Sequence, residues 1–148
     1  MKPDLFAGQI LTARDVERFV YGGRALFTIV SRASGNRFTF KVSSGTNKKN
    51  KNLMFVHVLS GPDNTTSYSY LGYLMTNNRK KLMAGQKGKP DAVSFKALDW
   101  LIKQLASSRL PESVEFYHSG KCGCCGRTLT VPESIKTGLG PVCAGRQK

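Results

Sequence analysis

A chain of 148 residues with 23 Lys and Arg against 9 Asp and Glu carries a formal charge of +14 at pH 7. That length suits one domain with its own core, or a domain with a small appendage, and a charge of that size points to polyanionic partners, nucleic acid first among them. The longest apolar runs, 25–30 and 53–59, fall far short of the ~20 residues that a membrane-spanning helix needs. The opening Met1-Lys-Pro-Asp lacks the apolar centre of a signal peptide, so a cytoplasmic protein with no membrane partner is expected.

Taken in chain order, Thr12 is the expected N-cap of a first helix. Asp15 completes a capping box, and Leu11 and Val16 stand at the positions of a hydrophobic staple. Val16, Phe19 and Val20 share one side of that helix, and Gly22-Gly23 ends it. The period then changes from helical to alternating. Residues 24–32 and 37–42 flank Ala33-Ser-Gly-Asn36 as an antiparallel hairpin, with Phe38, Phe40 and Val42 inward and Arg37, Thr39 and Lys41 outward. The run 53–59 is apolar on both sides and is expected to be central. Residues 67–75 supply a fourth strand, with Tyr68 and Tyr70 on the same side. Three basic connections are expected at the sheet edges: one with Lys48, Lys49 and Lys51, one with Arg79, Lys80 and Lys81, and one with Lys87 and Lys89.

After Pro90 the helical period returns through Phe95, Leu98, Ile102 and Leu105, with Trp100 expected in the core, until Leu110-Pro111 stops the helix. Val114–Tyr117 is a short extended piece leading to His118. The resulting fold class is α+β: an antiparallel sheet of about four strands with two packed helices over residues 1–113, and a small zinc-binding module over 114–148 packed on it.

All 4 cysteines lie from Cys122 to Cys143. Cys122 and Cys125 form a Cys-x-x-Cys pair whose tight turn puts both sulfurs on one side. Gly126 sits behind the turn, and Cys143 returns after Gly138-Leu-Gly140-Pro141. A structural Zn2+ with four tetrahedral ligands suits this set. For the fourth ligand, His118 can approach from the incoming strand, whereas Cys124 would have to turn back from inside the pair; His118 is favoured and Cys124 is the alternative. Thr130 and Glu133 have the spacing of a second capping box, before a short helix ended by Gly138. Adjacent cysteines seldom bridge each other, and a redox dithiol would need a strand–helix unit that the sequence lacks. No nucleophile–base set or phosphate-binding Gly loop is visible, His57 reads as a sheet histidine, and a zinc with four protein ligands is closed to substrate. The expectation is therefore a protein that is not an enzyme.

The segment from Tyr117-His118 through Cys122-Gly-Cys-Cys125-Gly126-Arg127 to Gly138-Leu-Gly140-Pro141-Val-Cys143 resembles the C-terminal zinc-finger-like element of small uncharacterised phage and prophage proteins. The helix bearing Trp100, the Leu110-Pro111 stop and the segment from Phe55 to Asn64 extend that resemblance over much of the chain. It implies a phage origin and zinc ligands at His118, Cys122, Cys125 and Cys143, but no activity; Cys124 adds a thiol to the pattern. The functional expectation is a basic, zinc-containing nucleic-acid-binding accessory protein with weak sequence preference for DNA or RNA. Its candidate contacts are Arg37, Lys41, Lys48, Lys49, Lys51, Arg79, Lys80, Lys81, Lys121 and Arg127, with Tyr68 or Tyr70 as stacking platforms if they face solvent. The alternative is an inhibitor of a host nucleic-acid-handling or defence complex, anti-CRISPR-like, whose same cations meet an acidic site on a protein or ribonucleoprotein.

Overall fold

The computed structural model describes residues 7–44, 52–60 and 67–146. Seven strands form one antiparallel sheet: β1 (Gly8–Ile10), β2 (Arg24–Ser31), β3 (Arg37–Ser44), β4 (Leu53–Leu59), β5 (Tyr68–Met75), β6 (Asn78–Met83) and β7 (Val114–His118). Their order across the sheet is β1-β7-β2-β3-β4-β5-β6. Four helices accompany them among the described residues: α1 (Ala13–Val20), α2 (Val93–Ala106), α3 (Pro132–Thr137) and α4 (Pro141–Arg146).

The expected count of four strands is too low, for reasons that lie in the missing strands themselves. β1 has three residues, too few to show a period. β6 reads Asn-Arg-Lys-Lys-Leu-Met, and as an edge strand it carries lysines where a buried strand would alternate; edge lysines also discourage pairing with a further strand. The expected basic loop at Arg79–Lys81 is therefore strand. β7 is the short extended piece before His118, and it lies inside the sheet, paired to β1 through Ile10↔Phe116 and to β2 through Ile29↔Phe116.

The hairpin of β2 and β3 forms as the alternation predicts, with Gly35 supplying the left-handed turn residue at φ 73°. Thr12 caps α1 by accepting the Asp15 amide at 3.2 Å, but Leu11 is 64% exposed and does not act as the expected staple. One face of the sheet presents Phe27, Phe40 and Phe116, all fully buried. The Phe27 and Phe116 rings stack at 4.7 Å, and Phe19 of α1 meets them edge-on at 6.4 and 5.9 Å. α2 adds Phe95, Leu98, Leu101, Ile102 and Leu105 to the same core. Trp100 stands at the margin of that stripe and is 40% exposed rather than buried as expected.

On the other face Leu26, Phe55, His57, Tyr68, Tyr70, Tyr73 and Tyr117 are half-buried. Thr28 and Thr39 face each other there; Thr39 lies on the face expected of it, but both are almost completely buried. Their hydroxyls bond at 2.7 Å between the longer side chains of neighbouring rows. Truncating one partner strands the other hydroxyl, whereas removing both leaves an apolar pair of the same shape. Thr28→Val or Thr39→Val alone is expected to lower stability by about 1–2 kcal/mol, and the double substitution by clearly less than the sum; chemical denaturation of the three variants checks this.

Candidate metal centre

β7 alternates Val114, Phe116 and His118 inward. This period carries His118 into the core rather than toward the cysteines. Its ring lies 5.9 Å from that of Phe19, and Gly8 on β1 has no side chain because a Cβ there would collide with the imidazole. Both ring nitrogens are occupied. Nδ1 accepts the Gly120 amide at 2.9 Å, and Nε2 donates to the carbonyl of Ile135 in α3. Burial holds the His118 pKa below its ordinary value, partly offset by the Ile135 bond, in keeping with a neutral ring between one donor and one acceptor. The expected fourth ligand is thus not brought to the sulfurs; it ties the last strand to the module.

Beyond Gly120 the chain makes the knuckle. The Cys122 amide donates to the Arg127 carbonyl at 2.8 Å and the Gly126 amide to the Cys122 carbonyl at 2.9 Å, with Gly126 at φ 79° as the turn requires. Gly138 ends α3 in the left-handed conformation, and α4 then carries Cys143 back to the knuckle. α3 starts at Pro132 behind Val131, so the expected capping box at Thr130 is not formed.

The sulfurs of Cys122, Cys125 and Cys143 lie within 4.8 Å of one another. A tetrahedral thiolate site with metal–sulfur bonds of about 2.3 Å sets its sulfurs about 3.8 Å apart, so the three need to close in by no more than about 1 Å. Cys122 Sγ receives the amides of Cys124 at 3.4 Å and Gly140 at 3.3 Å. Burial raises the Cys122 pKa, but amide donors from Gly140, Cys125 and Cys124 and the Cys125 thiol outweigh it and bring it to about 7. Cys143 is pushed up to about 12 by burial and by hydrogen bonds with the thiols of Cys124, Cys125 and Cys122. Donor N–H groups aimed at one sulfur and a cluster of thiols that cannot all ionise alone fit a soft divalent cation, which would displace the remaining protons. All 4 cysteines are free thiols. A cavity of about 190 Å³, lined by Cys122, Cys125, Cys143 and Arg127, gives an ion a way in.

This geometry decides which comparison matters. Residues 113–148 match the family of unknown function DUF6011. No curated protein and no solved structure matches the chain. The DUF6011 segment runs from just before β7 through α4, and so contains His118, the knuckle and Cys143 together; the description of the family assigns no activity.

The cations expected at the interface are scattered. Lys48, Lys49 and Lys51 lie outside the described residues. Arg37, Lys80, Lys81, Lys121 and Arg127 are exposed, the first at one end of β3, the next two on the β6 edge and the last two beside the knuckle. Lys41 places its ammonium 4.4 Å from the centre of the Tyr68 ring. Arg79 is engaged within the fold: its Nε donates to Thr76 O, its Nη1 pairs with Glu17 at 3.3 Å, and it stacks over Tyr21. Arg24, which the sequence did not mark, donates to the Cys125 carbonyl at 3.4 Å and adds a third cation at the knuckle. Only its place just after Gly22-Gly23 could have drawn notice.

Two substitutions separate ligand from strut. Cys125→Ser is expected to abolish metal retention. His118→Ala is expected to cost about 2–4 kcal/mol through a cavity and two stranded backbone groups while one metal ion per chain is retained; native mass spectrometry with thermal denaturation reads both.

Proposed function

We propose that this is a nucleic-acid-binding protein whose C-terminal module is held by a structural Zn2+. The observation that carries the reading is the charge imbalance: 23 cationic side chains against 9 carboxylates leave most cations without an acidic counterpart in the chain. Some carboxylates are already taken, as Glu115 is by Arg32, Glu17 by Arg79 and Asp99 by Lys103. Exposed Lys80, Lys81, Lys121 and Arg127 then present uncompensated charge on more than one side of the sheet, which suits a phosphate backbone better than a compact anion. No helix is placed as a groove reader by this reading, so weak sequence preference follows.

The zinc is ligated by Cys122, Cys125 and Cys143, with Cys124, hydrogen-bonded to Cys143, as the nearest further donor. Thiolate-rich donor sets favour zinc among the abundant divalent ions, and Cys124 turning in as a fourth protein ligand would close the site and make the ion structural rather than catalytic. The phage setting and the host-complex inhibitor both remain within this proposal, since an acidic protein surface would meet the same cations.

The test is a salt titration of binding to a DNA and an RNA oligonucleotide. Neutralising several phosphates is expected to cost at least about tenfold in affinity between about 50 and 200 mM salt. Lys80→Glu/Lys81→Glu should weaken binding further at unchanged metal content. No binding, or affinity indifferent to salt, overturns the reading; capture of a protein from host lysate that survives nuclease treatment shifts it to the inhibitor.

A further inference from the structure

A cleft of about 740 Å³ opens on the sheet face opposite the helices, a size typical of sites for small organic groups. Its floor is aromatic. Phe55 and Tyr70 lie 6.3 Å apart on adjacent strands, and His57 sits edge-on to Tyr70 at 5.5 Å. Tyr73 continues the row beside Phe55, its register partner. The wall is the turn after β6. Gly85, at φ 64°, lies so close to the Tyr73 ring that a Cβ would stand 3.0 Å from it, and Lys89 donates its amide to Leu71 O at 3.0 Å. This folds the turn back over β5 and sets exposed Lys87 at the lip.

Three further features bear on what the cleft accepts. Among the described residues no carboxylate lines it. Burial, and then the Lys41 ammonium, hold the His57 pKa below its ordinary value, which favours the neutral ring. Nδ1 of His57 and the Tyr68 hydroxyl on the same face have no hydrogen-bond partner among the described residues, so this face holds polar capacity that the fold does not use. Tyr68 itself is covered by Lys41, which leaves Tyr70 and Phe55 as the ring faces available to a ligand and puts an ammonium one strand away, in register with His57.

We propose that this cleft holds an unstacked base of a single nucleic-acid strand, stacked on one of the Phe55 and Tyr70 rings and edge-on to the other, since the two are inclined at 60°, with Lys87 and Lys41 on the adjoining phosphates. The inference rests on the nucleic-acid reading above and narrows it. Flat aromatic groups flanked by ammonium groups match a base attached to phosphate, and stacking on an aromatic side chain tolerates any base. A duplex keeps its bases stacked on each other and cannot offer one to a recessed floor. An acidic peptide would use the lysines but leave the rings without a flat partner.

Fluorescence anisotropy at fixed moderate salt tests this with a labelled mixed-sequence single strand and the duplex of the same sequence. The zinc-loaded full chain should bind the single strand at least about tenfold more tightly. Phe55→Ala and Tyr70→Ala should each lower single-strand affinity about 5- to 100-fold while leaving duplex affinity and metal content unchanged. Lys87→Gln should reduce the salt slope by about one. Tyr70→Leu, which keeps apolar volume but removes the ring face, guards against loss of fold and should behave like Tyr70→Ala, whereas Tyr70→Phe should bind as the unsubstituted protein does. Equal affinity for both strand forms, or variants that bind as tightly as the parent, overturns this inference and leaves the nucleic-acid reading standing. Absence of binding by the parent overturns both.

Discussion

One phenyl ring joins the two halves of this protein. Phe19, at the end of α1, meets Phe27 and Phe116 of the sheet on one side. On the other it fills the space that side chains would take at Gly123 of the knuckle, where a Cβ would lie 2.7 Å from the ring, and at Gly138 of the α3 cap. Backbone bonds complete the contact: the Arg24 amide reaches Gly123 O at 2.7 Å, and the Gly123 amide reaches Gly138 O at 2.9 Å. The cysteine module has a small cluster of its own around Cys122, Leu129, Leu139 and Cys143. That is little apolar area for an independent fold, so the module takes its position from the main core and its local order from the thiol cluster.

How much of this could be read from the sequence follows from where each signal was local. The α1 cap, the β2–β3 hairpin and the Cys-x-x-Cys knuckle depend on residues within a few positions of each other, and they are legible. Proximity to Cys122 suggests His118 as a ligand, but the alternation Val114-x-Phe116-x-His118 points its ring inward. β6 was missed because its apolar pattern is interrupted by edge lysines, and β1 because three residues carry no period. The aromatic cleft could not be read at all, since Phe55, His57, Tyr70 and Tyr73 meet only through strand register and a turn that folds over them.

The sheet divides its labour by face. The helix-covered side is packed with phenylalanine and aliphatic residues down to zero exposure, and it sets the stability of the fold. The opposite side keeps its rings half-buried and lysines near them; Glu115, the one carboxylate that the described strands place on this side, is held by Arg32 and Tyr117. Packing against neighbouring strands limits the rotamers of such half-buried rings. A preordered surface loses little side-chain freedom on binding.

β7 also bears on the order in which the protein can be made. It is the last strand in the chain, yet it occupies the second place in the sheet, between β1 and β2. Until residues 114–118 have been synthesised, β2 ends the sheet with an open row of backbone donors and acceptors, and β1 has no partner. The nascent chain therefore passes through a stage with an exposed apolar edge, which long-range pairing resolves late. The thiol cluster lies just beyond β7, so a metal ion taken up there would arrive as that edge closes and would hold the final strand in place.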